Sequence, residues 1–128
     1  MKPSTREWVE KAEADYQLAV VLSRRKKVTF HDHGCFCRQQ SAEKYLKARL
    51  EEADILPPKT HDLKILLNHL APVEPLWSAL TPAAAALTKF AVRFRYPGEG
   101  ATAAQAREAL KLAKALRHEA RLALGLKV

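Results

Sequence analysis

The 128-residue chain is 48% hydrophobic, holds only four glycines and has no Gly/Ser-rich or low-complexity segment, which fits one domain that buries its own core. No apolar run approaches the roughly 20 residues that a bilayer crossing needs, and the opening "MKPSTREWVEKAEADY" has no apolar stretch after its charges, so a transmembrane helix and a secretory signal are both excluded and a cytoplasmic location is expected. Lys and Arg outnumber Asp and Glu by 22 to 14, for a formal charge of +8 and a pI near 9.7; this favours anionic partners such as RNA, nucleotides or an acidic protein, and it equally describes a helical protein with an arginine-rich surface.

Alanine and leucine are abundant while Val, Ile, Thr and aromatics are sparse, a balance that favours helix over strand. A first helix is predicted from about Thr5 to Arg25: Ser4 precedes Glu7 at capping-box spacing, and Trp8, Ala12, Tyr16, Ala19 and Val20 fall on one stripe. Asp32 is placed to cap a second helix of about 20 residues, with Cys35, Ala42, Leu46, Leu50 and Ala53 facing the core and the two prolines of "DILPPKT" ending it. A short third helix follows Thr60, with Asp62 in its first turn and Leu63, Leu66, Leu67 and Leu70 inward, and stops before Pro72. The fourth starts at Thr81 with Pro82 in the first position, turns Ala83, Leu87, Phe90 and Phe94 to one face, and breaks at "RYPGEG". The fifth opens on a second capping-box pair, Thr102 and Gln105, and carries Ala106, Leu110, Ala113, Leu116, Ala120 and Leu124 to Gly125. The expected architecture is all-α: one domain over residues 1–128, an up-and-down bundle of four long antiparallel helices plus a short one.

The stretch "HDHGCFCRQQ" has the letters of a metal site. Zinc requires four converging donors, whereas on a helix Cys35 and Cys37 diverge by about 160° and only His33 and Cys37 share a face. No metal or other cofactor is therefore expected; Cys35 reads as a small core residue with Phe36 packed beside it, and the histidines as a polar turn. The same divergence disfavours a disulfide and agrees with a reducing compartment.

Gln40, Glu43, Lys44 and Lys47 recur at helical spacing beside the apolar stripe of the second helix, and Gln39 falls within that stripe, where a polar group needs a partner. Two readings stand: a charged groove for a nucleotide, RNA or second subunit, or a solvated face with local ion pairs. Arg93 and Arg95, in the last turn of the fourth helix beside Tyr96, either answer the helix dipole or contact phosphate and base. His61 and His69 lie about two turns apart, and His118 stands next to Arg117.

In order, "FCRQQSAEKYLKARL", "PPKTHDLKILL" and "RFRYPG" followed by a long final helix resemble the HEPN domain (higher eukaryotes and prokaryotes nucleotide-binding) across nearly the whole chain. The resemblance implies a small helical bundle, usually dimeric and often encoded beside a minimal nucleotidyltransferase in modules proposed to act as toxin and antitoxin. It also implies an anionic ligand, nucleotide or RNA, or helix pairing, at Gln40, Glu43, Lys44, Lys47, Arg95 and Tyr96, to which the reading of the fourth helix's end adds Arg93 as a candidate ligand contact. Many members are metal-independent RNases whose signature is an arginine followed after four to six residues by a histidine near the start of the last long helix. This sequence departs from that pattern: "YPGEGATAAQ" after Arg95 lacks the histidine, and the matching spacing from Arg25 to His31 lies elsewhere in the chain. Metal-free cleavage needs a group to take the 2′-OH proton and a cation for the phosphorane. His61 and His118 are the catalytic candidates that remain for a non-standard RNase, and a purely structural helical dimer is the third possibility.

Overall fold

A computed structural model describes residues 1–128, the side chains of residues 28 and 29 excepted. Five α-helices, α1 (Pro3–Ser23), α2 (Val28–Glu52), α3 (Leu63–Leu70), α4 (Thr81–Arg93) and α5 (Ala103–Ala123), are joined by short connections, with a 3₁₀ segment at Pro75–Leu80 leading into α4. Among the described residues there is no strand, and no helix is long and apolar enough to cross a membrane.

The bundle is built around α2, which packs against α1, α3, α4 and α5. A helix packed against four neighbours has no continuous wet stripe. Besides Cys35, Ala42, Tyr45, Leu46 and Leu50, it therefore buries Arg38, Gln39, Ser41, Glu43 and Lys47. The peripheral helices keep ordinary amphipathic faces: Leu63, Leu66, Leu67 and Leu70 of α3 are all buried, as are Ala106, Ala113, Leu116 and Ala120 of α5.

Three local expectations are corrected. The first helix starts earlier than Thr5: Lys2 is its N-cap and Pro3 its first residue, so Ser4 is already helical and its hydroxyl donates to Glu51 at 2.8 Å instead of capping. The second helix likewise begins at Val28, which puts Asp32 inside it, where its Oδ1 accepts the Ala101 amide at 2.6 Å and ties the chain entering α5 to α2. Phe36 does not pack into the core beside Cys35 but stands 39% exposed. The final capping box forms as expected, with Thr102 and Gln105 bonded reciprocally.

Candidate functional site

The residues singled out along α2 are drawn into an internal network. Glu43 directs Oε2 to the Lys47 ammonium at 3.0 Å and Oε1 to the His61 Nδ1 at 2.8 Å. Because a carboxylate offers only acceptors, His61 donates from Nδ1 and keeps Nε2 free. Gln39 donates to the His61 carbonyl at 2.7 Å and accepts from Gln40 at 2.8 Å, which answers the need of a glutamine buried in the apolar face. Lys47 also stands over the Trp8 ring, 5.7 Å from its centre. Lys44 reaches α1 and pairs with Asp15 at 2.6 Å. The network thus fastens the segment before α3 onto the central helix, leaving the His61 side chain 77% exposed at its rim.

Arg95 and Tyr96 come together beside Phe36 of α2, and Arg93, expected with them, turns to the α3 side of α4. Arg95 lies over the ring of Phe36 at 5.5 Å, a cation–π contact that explains why an aromatic residue is held at the surface. Tyr96 is 61% exposed beside them. With Phe36, Asp32, His33 and Phe94, Arg95 and Tyr96 line an open groove of about 690 Å³ between α2 and the end of α4, whereas Arg93 lines the neighbouring cleft between α3 and α4. Arg93 pairs with Glu99 at 3.2 Å. A guanidinium, two accessible aromatic faces and polar edges can take a phosphate and stack a base. A smaller cleft of about 220 Å³ at Ser4, Trp8 and Glu51 has two glutamates and one lysine in its lining and suits an anion poorly.

The structure does not bring these two groups into one stripe. Phe36 and Glu99 are groove residues that sequence reading missed; for Phe36, its position one residue, or about 100°, from the core-facing Cys35 was the available signal. Both cysteines are free and buried, and among the described residues no three of His, Cys, Asp and Glu come together. His118 is exposed on α5, away from the groove-lining residues. Its neighbour Arg117 instead clasps Glu13 through Nε and Nη2 at 2.9 and 2.8 Å.

The sequence matches the HEPN domain family over residues 5–122. Among solved structures, the chain is similar to the one described as the crystal structure of TT1696 from Thermus thermophilus, with a TM-score of 0.81 and 25% identity over 95% of this chain and 99% of that one. The comparison with curated proteins gave no match. Helix order, the Gln-Gln-x-x-Glu-Lys run locked to Thr-His-Asp-Leu and a match over most of the length lead to one conclusion: the chain belongs to the HEPN domain family, whose modules are nucleotide- or RNA-related.

Proposed function

We propose that the protein is a cytoplasmic, dimeric HEPN module that binds a nucleotide or RNA in the groove between α2 and the end of α4, beside a minimal nucleotidyltransferase partner in a toxin–antitoxin-like pair. The observation that supports the ligand most directly is Arg95 over Phe36 at 5.5 Å with Tyr96 exposed next to it, on a chain of net charge +8. Phosphate oxygens suit the guanidinium, and a base suits the two rings. Gln40, Glu43, Lys44 and Lys47 hold the frame from which that surface is presented.

Binding of a single-stranded oligoribonucleotide and of a nucleoside triphosphate should weaken between about 50 and 200 mM salt as counterions compete. It should fall on the order of tenfold or more in the Arg95→Ala, Tyr96→Ala double variant. Binding that ignores salt, or no binding to either probe, removes the ligand reading. Capture of the protein from its native cell should bring a nucleotidyltransferase with it, and a monomeric mass in solution would remove the dimer.

A second reading, metal-independent RNA cleavage at a non-standard site, has its own observation. The buried Glu43 carboxylate fixes the exposed His61 ring through Nδ1, the arrangement by which a general base is oriented. Incubation with RNA in EDTA should then give cleavage that His61→Ala abolishes and His118→Ala leaves intact; cleavage that survives His61→Ala ends this reading.

A further inference from the structure

We infer that the cleft between α3 and α4 is a phosphate-binding subsite continuous with the aromatic groove, and that Glu99 occupies its arginine until an anionic ligand displaces it. The inference rests on the proposed ligand reading for its connection to the groove, although the subsite itself stands on separate residues.

Thr88, Lys89, Val92 and Arg93 fall on one face of α4, and Asp62 and Lys64 at the start of α3 form the opposite wall of a cleft of about 460 Å³. Three cations meet one carboxylate there, and Asp62 Oδ1 is engaged by the backbone amide of Lys64 at 2.9 Å. Lys64 and Lys89 are exposed and, among the described residues, form no ion pair within 4.0 Å. The Thr88 hydroxyl oxygen accepts the Leu63 amide at 3.4 Å, which leaves its proton for a ligand oxygen. Lys89 and Arg93 are about 6 Å apart along the helix axis, so neighbouring phosphates of one chain reach both.

The two depressions meet at one ion pair. Arg93 lines the α3–α4 cleft, Glu99 lines the aromatic groove, and their side chains, each 48% exposed, bond across the boundary at 3.2 Å. An exposed pair of this kind contributes little, whereas a phosphate gives a guanidinium two parallel charge-assisted bonds. Glu99 is thus a resident stand-in for the ligand's phosphate, carried on the turn through Gly98, whose φ of +88° is open to glycine at no steric cost.

Titration of the full chain with tripolyphosphate, followed by backbone NMR, tests the subsite without any base. Shifts are expected at Lys64, Thr88, Lys89, Arg93 and Glu99. Glu99→Gln should bind about two- to fivefold tighter, and the Lys64→Ala, Lys89→Ala double variant about tenfold weaker with its helical circular dichroism unchanged. To separate the two sources of phosphate, an oligoribonucleotide should lose about 1.4 from its log–log salt slope in that double variant; loss of affinity confined to a nucleoside triphosphate would assign the subsite to the small ligand. Unshifted amides in the cleft overturn the subsite, and an unaltered affinity in Glu99→Gln overturns the displacement. Tripolyphosphate binding that persists while base-bearing probes fail to bind more tightly than it does would retain the subsite and remove the aromatic-groove reading.

Discussion

Glu43 divides its two oxygens between a lysine and a histidine while only 5% of its side chain remains exposed. Glu43→Ala would strand the Lys47 ammonium, itself 9% exposed, without its counter-charge; we expect a loss of about 3–5 kcal/mol in denaturant unfolding, the cost typical of breaking a buried pair from one side. Arg38 makes a different case. It is 1% exposed, and its guanidinium donates to the carbonyls of Ala106 at 2.7 Å and Ala19 at 3.5 Å, with Nε unpartnered. Burial lowers its pKa from the ordinary value. Truncation by Arg38→Ala opens a cavity and takes this donor from both carbonyls, so unfolding in urea should show a loss of about 3 kcal/mol. A loss below about 1 kcal/mol would mean that the neighbouring helices close over the gap.

At the level of elements, the helices that read most clearly from sequence are those at the periphery. All four leucines expected inside in α3 are buried, and the Thr102–Gln105 box stands where its spacing put it. Thr102→Ala should accordingly cost about 1 kcal/mol in thermal or denaturant unfolding, because it bares a first-turn amide of α5. The central helix read less well for a definite reason: periodicity assumes that one continuous side of a helix meets water, and α2, packed on four helices, is exposed only at isolated positions such as His33 and Phe36. Its polar stripe looked like a surface and is largely an interior network, while Phe36, an apolar letter next to the core stripe, is outside. The Ser4–Glu7 spacing failed because Pro3 supplies a first-turn residue without an amide, which moves the helix start forward. Of the proposed binding surface, Arg95 and Tyr96 were legible together because they are adjacent in sequence. Lys64 and Lys89 were not, since only packing of α3 on α4 makes them neighbours.

Across the whole molecule, Glu13 joins three helices. From α1 it accepts Arg117 of α5, the Tyr45 hydroxyl of α2 and Gln17, with Arg121 bonded to the same Tyr45 oxygen at 2.9 Å. Burial would raise its pKa; the hydrogen bonds from Arg117, Tyr45 and Gln17 outweigh that and bring it from 4.5 down to about 2. The folded state therefore releases this proton more readily than the unfolded chain, so its stabilisation is complete above about pH 4.5 and is lost as pH falls toward 2. After allowance for solvent at a partly exposed group, the contribution is about 1–2 kcal/mol. Urea unfolding at about pH 6 and about pH 3 should show it, and Glu13→Gln should flatten that part of the profile. The two cysteines set a further property of the whole fold. Cys35 is fully enclosed and burial pushes its thiol up to about 11, and burial raises Cys37 too. A thiol-reactive dye therefore reaches Cys35 only when the helices part, while Cys37, 9% exposed, is the more accessible of the two. The native chain carries its own clock: at neutral pH, the rate at which a thiol dye labels Cys35 reports openings of the bundle, with no residue replaced.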